Sequence, residues 1–171
     1  MKAITYKVLL LVPLSCLVLL FVFIGDVWYE QKIFVIVGNF LQIIIPCMGY
    51  YISLVKKDKV GIKQFLCTAS ATVGITYAIK WMTYYMGIGI RPSGETKSFP
   101  SGHTSCSFQG AFFLLRRYGW KWGAPMLILA GSTAYSRIYG LYHHWRDVIA
   151  GFFIALLVSK LFVTPLRASR P

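Results

Sequence analysis

The sequence predicts an all-α protein, an integral membrane bundle of six transmembrane helices, and three observations carry that expectation. Of its 171 residues 57% are hydrophobic and only 13% charged, with a mean hydropathy of +0.62, values outside the range of an ordinary soluble domain. The apolar residues gather into long runs, most of them near the ~20 residues that a helix needs to cross the hydrocarbon. The segments between those runs sort by charge, as the loops of a multi-pass protein do.

Taken in order, the first run is 8–24. It follows Lys2 and Lys7 as a signal peptide would, but its apolar core is too long and no small-x-small cleavage site follows, so it reads as a retained span. The second and third runs are 33–55 and 65–86. The fourth, 104–115, stops short before Arg116 and Arg117. Its helix either continues to Trp120 while the arginines snorkel, or begins below the outer surface. The fifth and sixth are 122–139 and 148–166. No internal repeat, low-complexity tract or linker interrupts this order, so residues 1–171 read as a single domain. Cys16, Cys47, Cys67 and Cys106 lie in or beside apolar runs without a C-x-x-C pair. They read as small buried apolar side chains, neither a disulfide framework nor a metal site.

Six spans leave both termini on one side. One set of loops then holds Lys2, Lys7, Lys56, Lys57, Lys59, Lys63, Arg116, Arg117, Lys121, Arg167 and Arg170; the other holds Asp26, Glu30 and Lys32, then 87–103, then 136–147. The positive-inside rule assigns the first set, with both termini, to the cytoplasm, and so predicts a multi-pass protein of the cell (inner) membrane with the second set facing the outer, periplasmic side. The net charge of +13 does not point to nucleic acid, because the basic residues punctuate apolar runs instead of forming a water-facing patch.

All three histidines, His103, His143 and His144, fall in the outer segments, with Arg91, Arg137 and Asp147. Lys97 and Arg146 read as ordinary interfacial anchors. On a helix His143 and Asp147 stand four apart and share a face. A carboxylate there accepts the proton of one ring nitrogen and leaves the other free to attack an electrophile. His144 stands three from Asp147, and spacing alone does not choose between the two histidines. In the stretch "SFPSGHTSCSFQG", 98–110, Pro100 fixes the approach of the chain and Gly102 permits close backbone approach. A helix beginning about His103 would present unpaired N–H groups, an end that binds anions. With Arg91 and Arg137 on the same face, the expected ligand group is an anion with several oxygens, phosphate above all.

These residues resemble the signature of the type 2 phosphatidic acid phosphatases (PAP2), a family allied to the vanadium haloperoxidases and bacterial acid phosphatases, in its membrane lipid-phosphatase branch. The matching parts are Pro100, Ser101, Gly102 and His103, then Ser136, Arg137, His143 and Asp147, within a signature region of 80–151. One departure is the ten residues between Lys80 and Arg91-Pro92, where the family usually has six. Either the loop carries an insertion or Lys80 is not the matching lysine.

The resemblance implies His143 as nucleophile, oriented by Asp147, and His103 as general acid and base. It implies that Lys80, Arg91, Ser101, Gly102 and Arg137 bind the substrate phosphate, without a metal or other cofactor. His144 is then more structural than catalytic. The implied substrate is a lipid phosphate monoester or diphosphate (lipid A phosphate, undecaprenyl diphosphate, phosphatidylglycerol phosphate or phosphatidate). The partners are that substrate and membrane lipids, with no nucleic acid; no oligomeric state is implied. A phosphotransferase would use the same site. A haloperoxidase would be soluble. A small transporter would align polar residues along several spans, whereas here the spans are interrupted chiefly by Asn39, Gln42 and small hydroxyl residues.

Overall fold

The structure, a computed structural model, describes residues 33–166. Among the described residues it is all-helical: α1 (Ile33–Val55), α2 (Lys59–Tyr85), α3 (Gly102–Tyr118), α4 (Trp120–Tyr139) and α5 (Trp145–Phe162). The predicted first span, 8–24, lies outside the described residues, as do Cys16 and the terminal cations, so the count of six is not reached within them. Among the described residues α1 alone combines the length and the apolar composition of a membrane span.

Local chemistry sets the helix ends. α2 begins ahead of its apolar run because Asp58 caps it, accepting the Gly61 N–H at 2.9 Å. α5 begins at Trp145, where the Asp147 carboxylate reaches back to the His144 N–H at 2.9 Å, and it ends short of Pro165. Gly119, at φ +89°, turns the chain from α3 into α4.

α3 is the central helix, buried on most sides, against α1, α2, α4 and α5. Phe108, Ala111 and Phe112 pack with Ile45 of α1, Ala130 and Ala134 of α4, and Val148 and Ala155 of α5. Phe113 and Leu114 pack with Ile52, Phe65 and Val163. α1 crosses α3 closely at Gly110, where a Cβ would come within 2.6 Å of the Pro46 backbone. Toward α2 the contact is polar: Gln109 Nε2 donates to Thr68 Oγ1 at 2.9 Å and Thr76 Oγ1 to Ser105 Oγ at 3.0 Å. These hydroxyls, which lowered the apolar signal of the third and fourth runs, face a neighbouring helix.

Two expectations need correction. Arg117 does not snorkel: it turns inward, donating Nε and Nη2 to the Asp58 carboxylate at 2.6 and 2.7 Å and Nη1 to the Thr164 carbonyl at 3.0 Å. Tyr118 Oη adds a 3.0 Å bond to the same carboxylate. Cys47 and Cys67 are exposed and Cys106 is half-buried. The physical reason is that the outward faces of α1 and α2 are also apolar, with Ile43, Leu54, Leu66 and Val73 exposed, so an apolar run does not distinguish inside from outside.

The α1–α2 turn, the α3–α4 turn and the chain after α5 therefore meet at one end of the bundle, at the Asp58–Arg117 pair. Both partners are buried. Asp58→Ala, which leaves the guanidinium unpaired, is expected to cost about 3–5 kcal/mol of stability, whereas Glu95→Gln, which breaks a surface pair with Arg91, should cost no more than about 1 kcal/mol. Thermal unfolding of the two variants in detergent checks the contrast. The bonds from Arg117 hold the Asp58 carboxyl down at about 2. Its contribution is thus complete above about pH 4 and is lost as the pH falls toward 2.

Candidate active site

At the other end of the bundle the N-termini of α3 and α5, the C-terminus of α4 and the loop after α2 converge. Their junction is a backbone bond: Ser101 N–H donates to the Asp147 carbonyl at 2.9 Å. Gly151, one turn beyond Asp147 in α5, makes this approach possible, since a Cβ there would lie 2.7 Å from the Ser101 carbonyl oxygen.

His143 belongs to the α4–α5 loop, not to a helix. The Arg137 carbonyl accepts the N–H groups of both Tyr142 and His143, at 3.0 and 3.2 Å. Residues 140–143 thus fold back tightly onto the last turn of α4, with Leu141 at φ +56°. His143 is buried and its Nδ1 lies 3.6 Å from Asp147 Oδ2. The expected sharing of a helical face is replaced by a pairing across the N-cap of α5, because Asp147 occupies the first turn and points back.

Ser98 completes the arrangement. Its hydroxyl donates to Asp147 Oδ2 and lies 3.4 Å from His143 Nδ1. Burial by itself would raise the Asp147 pKa. The bonds from His143, Ser98 and the His144 N–H outweigh burial and hold it at about 2. His143 is lowered from the ordinary imidazole value, first by burial and then by the nearby charges of Lys80 and Arg91, against the pull of Asp147. It is therefore neutral at neutral pH, with Nδ1 turned to the carboxylate and the ring's lone pair on Nε2. His144 is exposed, its Nε2 3.2 Å from the Ile90 carbonyl.

Ser101 is the N-cap of α3, fully buried, and its Oγ accepts from Thr104 Oγ1 at 3.0 Å. The N–H groups of Gly102 and His103 precede the first bond inside the helix, which runs from Ser105 N–H to the Ser101 carbonyl. Beside Gly102 the space is open: an added Cβ would touch nothing within 4 Å. His103 Nε2 is 3.1 Å from Asn39 Oδ1. Burial, and then the charges of Arg137, His143, Arg91 and Lys80, push the His103 pKa down to about 3. An anion held beside His103 would act in the opposite sense, so its binding and proton uptake by His103 would favour each other.

The three expected cations are present but differently employed. Arg137 is buried, donating Nη1 to Asn39 Oδ1 and Nη2 to the Val35 carbonyl, both at 2.6 Å. Lys80 Nζ reaches the carbonyls of Lys97, Ser98 and Pro100 at 2.8, 3.4 and 2.7 Å. It ties α2 to the loop that carries Ser98, and Thr83 Oγ1 does the same through the Phe99 carbonyl at 3.0 Å. Arg91 pairs with Glu95, lies over the Tyr142 ring at 5.9 Å, and keeps a buried Nε without a partner among the described residues. Lys97 sits over the rings of Trp81 and Tyr84, at 4.0 and 4.8 Å.

Sequence reasoning missed Ser98 and Asn39 as members of this cluster. Ser98 carried no signal of its own. Asn39 did, as an amide in an apolar run.

Residues 78–170, more than half of the chain, match the PAP2 superfamily. The chain belongs to that superfamily. It is 32% identical over 132 residues to a lipid A 1-phosphatase of Helicobacter pylori (strain J99), covering 74% of this chain and 69% of that protein. It is 29% identical over 142 residues to a lipid A 4'-phosphatase of the same strain, covering 78% and 71%. Over a shorter stretch, 37% of this chain and 24% of its relative, it is 40% identical to lipid phosphate phosphatase 1 of Arabidopsis thaliana. No solved structure matches it. Within the PAP2 superfamily it groups with the membrane lipid phosphatases, and it is a phosphoric ester hydrolase.

Ser98→Ala removes one of the bonds that hold Asp147 against His143. A hydrogen bond to a charged group is worth about 1.5–3 kcal/mol, so thermal unfolding should show a loss of stability of about that size, and kcat for phosphate release should fall by roughly ten- to a hundredfold.

Proposed function

We propose that this chain is a metal-independent membrane lipid phosphatase that hydrolyses a lipid phosphate monoester or diphosphate at the outer face of the membrane through a phosphohistidine. The observation that carries the reading is the buried His143, backed by Asp147 and Ser98, in the same cluster as His103 and the unpartnered Arg91 Nε. His143 Nε2 attacks phosphorus and forms a P–N bond as the P–O bond to the lipid breaks; His103 gives its proton to the departing oxygen. His103 then takes a proton from water, which attacks phosphorus, breaks the P–N bond and releases phosphate. Arg91, Arg137 and the N–H groups at Gly102 and His103 stabilise the charge on the phosphoryl oxygens. Lys80 adds positive charge to the site and, with Ser101, supports the loop and turn beneath it.

A six-span bundle in the inner membrane, with both termini cytoplasmic, suits this chemistry. The apolar surface of α1, α2 and α5, with Ile43, Leu54, Leu66, Phe153 and Leu157 exposed, is what lipid would cover. The lysines and arginines at the Asp58 end would face the cytoplasm, leaving the histidines at the outer headgroup level. Trp81, Tyr84, Tyr85 and Trp145 surround that end as aromatic anchors do. Among the candidate lipids, the two Helicobacter pylori relatives favour a lipid A phosphate.

The purified protein in detergent, given a panel of lipid phosphates with a chelator present, should release inorganic phosphate; a requirement for added divalent metal would overturn the mechanism. His143→Ala should reduce release to background and His103→Ala by about 10²–10⁴-fold, whereas His144→Ala should retain activity within about tenfold. Equal losses at 143 and 144 in folded proteins would reassign the nucleophile. Since His143 is held below the usual imidazole value and reacts as the neutral base, the acid limb of kcat/KM should lie below about pH 6.5.

A further inference from the structure

Asn39 stands on α1, outside the PAP2 match at 78–170 and outside every motif. Its Oδ1 receives Arg137 Nη1 at 2.6 Å and lies 3.1 Å from His103 Nε2. A guanidinium has only donors, so the atom facing it is the amide oxygen. An oxygen in that position attracts His103 Nε2 only if that nitrogen carries a hydrogen. Neutral His103 is therefore the Nε2–H tautomer, with its lone pair on Nδ1.

We propose that Asn39 is a positioning residue that fixes the tautomer of His103 and helps it to hold a second proton at Nδ1. The charged groups bearing on His103 are Arg137 of α4, Arg91 of the α2–α3 loop and Lys80 of α2, joined by His143 of the α4–α5 loop only when that ring is itself protonated, and all of them disfavour the imidazolium. The Asn39 oxygen on α1 opposes them, because the bond it accepts from Nε2–H strengthens when the ring is charged. With Nε2 held by Asn39, Nδ1 is the nitrogen that exchanges a proton with the substrate. It delivers its proton to the leaving oxygen and regains one from the attacking water, while the ring stays fixed through Nε2. Arg137, joined to the same oxygen, couples the phosphate-binding group to the acid.

This inference rests on the phosphatase reading for its role in turnover, but the His103 titration itself does not. The test uses the full-length protein with Asn39→Asp and Asn39→Ala. The carboxylate should raise the His103 pKa by about one unit or more, and the truncation should lower it. The basic limb of the pH–rate profile should follow in the same two directions and vanish in His103→Ala. Histidine ¹⁵N NMR of the same proteins reads the His103 titration directly, whether or not turnover is seen. The opposite signs mean that one folded variant suffices. A loss of activity uniform across pH, with the His103 titration unmoved, overturns the proposal and leaves Asn39 a packing residue. A displaced titration in a protein that releases no phosphate from any lipid supports it, and counts instead against the phosphatase reading.

Discussion

The bond from Ser101 N–H to the Asp147 carbonyl joins the first turn of α3 to the first turn of α5, and the geometry of the site follows from it. One stretch of chain supplies Ser98, Ser101, Gly102 and His103; the other, far along the sequence, supplies His143 and Asp147. Holding the two helix starts side by side brings the Ser98 hydroxyl onto the Asp147 carboxylate and sets His143 in the cluster that faces His103. Gly151 is the steric condition for that contact. A side chain there would separate two elements that neither motif could hold together alone.

A second constraint is charge. Lys80, Arg91 and Arg137 gather around two imidazoles with a single carboxylate, Asp147, directed at His143. Their repulsion is offset largely by neutral oxygens: three loop carbonyls for Lys80, and the Val35 carbonyl and Asn39 amide for Arg137. Such dipoles hold a cation in place without cancelling its charge, so the group stays attractive to an anion. Arg91 is the exception, since Glu95 provides an exposed counter-charge at the rim.

Much of this was legible in the sequence, and the limits have physical causes. The second apolar run, 33–55, coincides with α1 because that helix is apolar from end to end. The later starts were misjudged because Asp58 and Asp147 recruit polar residues into the first turn of α2 and α5, ahead of any apolar signal. Arg117 looked like an interfacial cation because its partner, Asp58, lies on a distant turn. The spacing of Arg137, His143 and Asp147 was readable as a unit, but as a helical face; the Arg137 carbonyl instead gathers the intervening residues into a turn. Ser98 was invisible because a serine in a loop carries no periodicity, and its significance comes only from the carboxylate opposite it.

The buried hydroxyls and amide between α2 and α3 bear on how such a chain is made. α3 has 17 residues, carries Ser105, Ser107 and Gln109 in its interior, and ends on a buried guanidinium. Presented alone to a bilayer, a segment of this kind partitions poorly. Ser105 and Gln109 find their partners on α2, the helix synthesised just before it, while the Ser107 hydroxyl bonds back to the Thr104 carbonyl of its own helix. α2 thus supplies partners that α3 lacks within itself, and the two are suited to form as a hairpin before α4 and α5 close around them.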